Sequence, residues 1–267
     1  MDRIESSTSP AASRVRSASH EPAAIAGVIF VASWVAGLLI FAPSTDVRSS
    51  GAALLVAYRG HEFVAALQFV LTEGIPAGAL AVVVYALARV GPRGGDRRFV
   101  RAVKVCGMTA VVVSLVECAL GLQLTMRLLP AHRAGPVAAA FDAITRLDGL
   151  KMFLLAGLAL AGRSLIREGR VRMPHWLAVV ALAVSTAIAT TGIGYLLLLN
   201  GPALAAWVSL PLLLVWVCGV GLSMPVAGDV ASQVAHSGRL GVGRRELTAL
   251  YRRRADRTKS RAGGLRV

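Results

Sequence analysis

Charged side chains are scarce in this sequence, and acidic ones are the scarcest. Asp, Glu, Lys and Arg make up 16% of the 267 residues, with 14 acidic residues against 29 basic ones. Soluble domains carry about 25% of charged residues. The composition therefore argues against a water-soluble globular domain.

Cysteines and catalytic signatures are also few. The three cysteines lie inside apolar runs and form no CxxC motif, so neither a disulfide framework nor a zinc site is expected: Cys106, Cys118 and Cys218. The sequence has no HExxH zinc pattern, no GxSxG nucleophile elbow and no Walker loop. An enzyme is therefore the weaker class of function, and these residues imply no cofactor and no metal.

What the sequence has in abundance is apolar residues in long runs. Hydrophobic residues make up 55% of the chain, and the mean hydropathy is +0.64. A helix needs about 20 apolar residues to cross the hydrocarbon core, and it satisfies its own backbone there. Six such runs predict the spans Ala23–Phe41, Phe63–Ala88, Val105–Met126, Phe141–Leu165, Trp176–Leu199 and Ala203–Met224.

These runs predict an all-α integral membrane bundle of six transmembrane helices with the lipid bilayer as its solvent. We expect a disordered polar arm over residues 1–22, one membrane domain over residues 23–224 and a basic tail over residues 225–267. The arm has no apolar run of the kind that a cleavable signal peptide needs.

Basic residues between the spans predict the orientation. Three Lys or Arg precede the first span, six lie between Arg89 and Lys104, four between Arg163 and Pro174, and ten follow Met224. The other three connections hold two, two and none. Because positively charged loops stay in the cytoplasm, both termini are predicted to be cytoplasmic. The excess of Arg over Lys suggests a bacterial protein, and hence the plasma membrane.

The tail contains a basic amphipathic segment. Leu247, Leu250 and Tyr251 share one helical face. Arginines surround that face: Arg244, Arg245, Arg252, Arg253, Arg254 and Arg257. Each basic residue near an anionic leaflet contributes about 1 kcal/mol, so we expect these arginines to bind anionic lipid headgroups rather than nucleic acid. Retention of the tail in the cytoplasm is the simpler alternative.

Two carboxylates lie inside predicted spans, where each costs about 2.5 to 3.5 kcal/mol and needs a partner, a proton or water. Glu73 and Glu117 lie in antiparallel neighbouring spans and reach a similar depth. Ser114 lies one turn from Glu117, on a face of small and polar residues that is expected to face inward.

The fourth span supplies counter-charges at helical spacing. Asp142 and Arg146 are four residues apart, and Asp148 and Lys151 are three apart, so each pair is expected to interact. The two pairs point to nearly opposite sides of the helix. Lys151 is the deepest cation, and we expect it to pair with Glu73 or Glu117. These residues, with Ser114, form the predicted intramembrane polar centre.

Three further features have ordinary interpretations beside functional ones. Thr186, Thr190 and Gly194 recur every four residues in span five, which favours a helix-packing stripe. His61 and His132 are predicted to lie on the outer side, where they are ordinary interfacial residues or, less simply, facing metal or haem ligands. Pro76 is a helix kink or a break beside a binding site.

Several short motifs recur in a known family. They are Ala26-Gly27 and Ala36-Gly37 in span one, Glu73, Glu117, and Met173-Pro174-His175-Trp176-Leu177-Ala178-Val179 entering span five. On these residues the chain resembles an uncharacterised family of six-span bacterial membrane proteins, domain of unknown function forty-three eighty-six. Its members carry an arginine where this sequence has Ser114. The resemblance covers about residues 21–224 and implies a multi-pass plasma-membrane protein, but it brings no activity.

Three hypotheses follow. The first is a non-enzymatic bundle whose buried charges fix helix register. The second is a small proton-coupled carrier that uses Glu73 or Glu117. The third is a membrane enzyme acting on lipid or quinone, with Asp142, Asp148 or His132 at its outer rim. A homo-oligomer or a membrane partner stays open in all three.

Overall fold

The computed structural model describes residues 21–41, 46–90, 97–167 and 173–224. In these ranges the chain forms helices and no strand. The predicted arm, the tail and the tail arginines lie outside the described residues, except for the last two residues of the arm. The helices are α1 Glu21–Ile40, α2 Gly51–Ala57, α3 Glu62–Phe69, α4 Ile75–Val90, α5 Arg97–Gln123, α6 Ala134–Arg167, α7 His175–Leu196, α8 Asn200–Ala203 and α9 Ala206–Ser223.

Two short π-helical segments interrupt this pattern. Val70–Gly74 joins α3 to α4, and Leu124–Leu128 extends α5. With these segments included, six helical stretches are long and apolar enough to cross a membrane. The predicted all-α architecture with six apolar helices is therefore confirmed for the described residues.

The helix boundaries differ from the predicted spans in two places. α5 begins at Arg97 and α6 at Ala134, each well before the predicted apolar run. A helix can extend beyond the hydrocarbon into water, and hydropathy detects only its apolar part. The connection between the first two predicted spans contains α2. That helix is too short to produce a hydropathy signal.

α2 packs at one end of the bundle, against α6. Its N-cap is Ser50, whose hydroxyl accepts a hydrogen bond from the Ala53 amide at 3.2 Å. Gly51 lies so close to the Ala134 backbone of α6 that a Cβ would collide with it. Leu54 and Tyr58 are buried there in a small apolar cluster. Burial raises the pKa of Tyr58 to about 12, so its hydroxyl stays neutral.

α6 is the central helix of the bundle. It packs extensively against α7 and α5, while α1 packs against α4 and α9. Gly149 allows the closest part of the α6–α7 contact, because a Cβ there would lie 2.6 Å from the Leu196 nitrogen and 2.9 Å from the Gly192 oxygen. Large side chains such as Leu39, Val179 and Trp207 point outward, as contact with lipid requires.

The predicted packing stripe on α7 is wrong for its two threonines. Thr186 and Thr190 are exposed, whereas their neighbours Ser185 and Thr191 are buried. The Thr190 hydroxyl donates to the Thr186 carbonyl at 3.1 Å, so its polar atom is satisfied inside its own helix and can face lipid. Thr191 instead meets Ser209 of α9 at 2.9 Å. The buried face of α7 therefore carries Ser185 and Thr191 instead of the expected Thr186 and Thr190.

Candidate functional site: an ionic cluster at the centre of the bundle

Glu73 lies in the π-helical segment between α3 and α4. The wider turn is closed by the Ile75 amide, which donates to the Val70 carbonyl five residues back. Pro76 follows directly and has no amide hydrogen to continue an α-helical ladder. Single π turns of this kind are frequent at functional sites. Here the turn carries a carboxylate that is buried inside the bundle.

Lys151 lies at the middle of α6 and reaches this carboxylate. Its Nζ atom donates hydrogen bonds to Glu73 Oε2 at 2.7 Å and to Glu117 Oε2 at 2.6 Å. The lysine side chain is only 4% exposed, and that of Glu117 is 1% exposed. The expected pairing of Lys151 with one glutamate is therefore a pairing with both, and it joins three helical stretches.

The inward face of α5 supplies Glu117 and a second contact to Glu73. Ser114 and Glu117 are buried on this face together with Ala110 and Gly121, as expected for that stripe. The Ser114 hydroxyl donates to Glu73 Oε2 at 2.9 Å. Glu73 Oε2 thus accepts two hydrogen bonds, one of them from a charged donor. Ser114 is consequently a direct partner of the cluster.

Asp148 completes the cluster from one turn before Lys151. Its Oδ1 atom lies 2.8 Å from Lys151 Nζ, but without the orientation of a hydrogen bond. The Asp148 side chain is 27% exposed, so this ion pair is the one most open to screening by the surroundings. Tyr195 of α7 and Cys118 of α5 also interact electrostatically with members of the cluster.

The charges in the cluster do not balance. Three carboxylates surround one ammonium, which leaves two excess negative charges when all four groups are ionised. In addition, Glu117 Oε1 is buried and has no hydrogen-bond partner. An unpaired charge in a low-dielectric interior is costly. The arrangement is therefore suited to holding a proton or a further cation.

The three carboxylates could in principle hold a metal ion. One oxygen from each of Glu73, Glu117 and Asp148 lies within 4.8 Å of the others. The Lys151 ammonium already occupies contacts with all three, so an ion would have to displace it. Among the described residues no other group of three potential metal ligands exists.

A small cavity adjoins the cluster on the side of Glu73, Ser114 and Lys151. It measures about 20 Å³ as the space open to the centre of a water molecule, which is enough for one water. Its remaining wall is mostly apolar and comes from α1, α4, α6 and α9: Phe30, Trp34, Pro76, Ala77, Leu80, Met152, Leu155 and Leu213, with Thr72 beside Glu73.

The other predicted site residues do not join the cluster. Asp142 and Arg146 form no ion pair with each other, and Arg146 is exposed; within the described ranges, the ion pairs of α6 are those of Lys151. The expected i,i+4 pair is therefore wrong, because an exposed arginine gains little from such a contact. His61 stacks on Phe41 with ring centroids 5.6 Å apart, and its Nδ1 lies 3.0 Å from the Arg59 carbonyl.

Two features of the site were not predicted. The π turn has one sequence signal, the proline three residues after a buried glutamate, but the turn type does not follow from it. The cavity wall from α1 and α9 has no signal in the sequence, since Phe30, Trp34 and Leu213 resemble any other apolar residue in a span.

The fold and its buried ionic centre define a multi-pass α-helical membrane protein. Comparison of the chain with models of protein families, with curated proteins and with solved structures finds no match.

Proposed function

We propose that this protein is a small proton-coupled membrane carrier whose ionic cluster holds the transported proton. The observation that carries the proposal is the excess of carboxylates: Glu73, Glu117 and Asp148 face a single ammonium, and Glu117 Oε1 has no partner. Protonation of a carboxyl is the least costly way to reduce such an excess in a membrane interior.

The surroundings support a proton that can leave as well as bind. The cavity beside Glu73 has room for one water molecule, and a water with polar partners can relay a proton. Asp148 is partly exposed while Glu117 is not. A proton therefore has carboxylate acceptors that differ in exposure, and all of them lie beside the Lys151 ammonium.

Infrared difference spectroscopy tests whether the cluster holds a proton. In protein reconstituted in nanodiscs, the wild type should show the C=O band of a buried protonated carboxyl near neutral pH. Glu117→Gln should remove or weaken this band, while the protein stays folded. The variant should also abolish the pH-dependent proton flux across proteoliposome membranes. Asp142→Asn is the matched control, since Asp142 is a carboxylate of α6 without an ion-pair partner in the described chain. A wild type without any protonated-carboxyl band, or a Glu117→Gln variant with unchanged flux, would contradict the carrier.

A structural role for the same cluster is the second candidate. It is favoured by the hydrogen bonds of 2.6 and 2.7 Å that tie α5 and the π turn to α6, because intramembrane polar contacts also act as packing interactions. This hypothesis predicts a lower melting temperature for Glu117→Gln, with no effect on proton binding. The enzyme hypothesis has no support of this kind, since no reaction motif accompanies Asp142, Asp148 or His132.

The predicted membrane, orientation, tail function and family kinship are part of the same proposal. We propose a bacterial plasma-membrane protein with both termini in the cytoplasm, on the alternation of basic connections. The tail arginines are proposed to bind anionic headgroups. Kinship with the uncharacterised six-span family is proposed on Glu73, Glu117 and the residues that enter α7 at its start.

A further inference from the structure

The contacts of Lys151 indicate which class of ligand this site can bind. A primary ammonium group has three hydrogens to donate and no acceptor. Its Nζ atom donates to Glu73 Oε2 and Glu117 Oε2 and forms an ion pair with Asp148 Oδ1 at 2.8 Å. The contacts therefore form a receptor for an alkylammonium head, and the butyl chain of Lys151 is the alkyl group that occupies it.

The cavity extends this receptor beyond Lys151. It begins at Glu73, Ser114 and Lys151 and continues between apolar side chains, among them Trp34, Leu80 and Leu213. A ligand head placed at Glu73 would thus have its carbon atoms against an apolar wall. Phe30 and Trp34 also line the cavity, and aromatic rings are side chains that attract cations.

Charge and lining exclude the other common classes of ligand. Two excess negative charges oppose an anion. A neutral sugar would leave hydroxyl groups without partners against the apolar wall. A hydrated inorganic ion needs oxygen ligands around it, and the wall away from Glu73 offers mainly carbon. A small organic cation meets both halves of the site.

We propose that the cluster binds small primary alkylammonium ions, with Lys151 as a tethered occupant that the ligand displaces from Glu73. The proposal rests on the proposed carrier function and names the class of its substrate. Because the cavity has room for about one water-sized group, methylammonium and ethylammonium are the expected ligands. Binding of this added positive charge expels a proton from the carboxyls, which face Lys151, Tyr195 and Cys118 from the neighbouring helices.

The test measures binding of radiolabelled methylammonium to the wild-type protein in nanodiscs, with a pH-sensitive dye reporting proton release. We expect saturable binding accompanied by released protons. Ethylammonium should compete, whereas hexylammonium should compete poorly because its chain exceeds the cavity. Tetramethylammonium, which has no N–H donor, should bind about tenfold or more weakly.

A variant that fills the cavity separates this inference from the carrier itself. Ala77→Leu places a larger side chain in the cavity wall and should abolish methylammonium binding while leaving the protonated-carboxyl infrared band. Ala81→Leu, one turn further along α4 and outside the wall, should bind normally. Glu73→Gln should lose methylammonium binding and, with it, the proton release that binding causes.

Three results would overturn the inference. They are no methylammonium binding to the wild type, equal binding of tetramethylammonium, and equal competition by sodium. If any of these occurs while the infrared band persists, the alkylammonium site is rejected and the proton-holding cluster stands. If the band is missing too, both proposals fail.

Discussion

Lys151 Nζ and Glu117 Oε2 lie 2.6 Å apart, and this ion pair joins α5 to α6 where both helices are buried. Removing one member of a buried pair leaves the other charge uncompensated, which costs much more than the pair itself contributes. The cluster has one cation and three anions, so its two kinds of residue are not equivalent. The stability predictions below depend on that asymmetry.

Lys151→Met should be strongly destabilising. The substitution removes the only cation of the cluster and leaves three carboxyls facing one another, with an expected loss of roughly 3–5 kcal/mol. The measurement is thermal unfolding in detergent. Arg146→Met is the matched control, because it removes an exposed cation from the same helix and should change stability by about 0.5 kcal/mol or less. Equal melting temperatures for the two variants would remove Lys151 from the energetic centre of the bundle.

Glu117→Gln should change stability far less than Lys151→Met. If Glu117 carries a proton, Gln has nearly the same shape and the same charge, and the expected change is about 1 kcal/mol or less. Combined with Lys151→Met, it should restore part of the lost stability, because Gln cannot ionise beside Glu73 and Asp148 once the ammonium is gone, whereas Glu117 can. A double-mutant cycle in detergent measures this coupling. Strict additivity would mean that the two side chains do not interact.

Gly149→Ala should separate α6 from α7. The added Cβ would lie 2.6 Å from the backbone nitrogen of Leu196 in α7, so the two helices must move apart at this point. We expect a lower melting temperature and easier dissociation of the bundle in SDS. Gly78→Ala on α4 meets nothing within 4 Å, and alanine favours a helix by about 1 kcal/mol over glycine. That control should be neutral or stabilising; a Gly149→Ala protein as stable as the control would show that the contact is adaptable.

Cysteine labelling should establish the proposed orientation. In a chain without its native cysteines, Asn200→Cys lies in the α7–α9 connection and Arg101→Cys lies in the basic first turns of α5. Both native side chains are exposed. A membrane-impermeant maleimide should label Asn200→Cys in intact cells and Arg101→Cys only after lysis. The reverse pattern would invert the predicted topology.

Much of the architecture follows from the sequence because the bilayer is a demanding solvent. Apolar runs of the right length must become helices in lipid, so the six spans can be read from hydropathy alone. The same cost identifies Glu73, Glu117 and Lys151, since charges at that depth need partners. Regular helical spacing also predicted the buried face of Ser114 and Glu117.

Only the tertiary structure decided which of these groups meet. Hydropathy is one-dimensional and does not determine how each helix rotates about its axis. For that reason Thr186 faces outward where packing was expected, Asp142 and Arg146 stay apart, and Lys151 contacts three carboxylates instead of the expected two. The π turn at Glu73 and the apolar wall contributed by Trp34 and Leu213 arise from close packing between distant helices. Rotation and packing are properties of neighbouring helices, and no single stretch of sequence contains them.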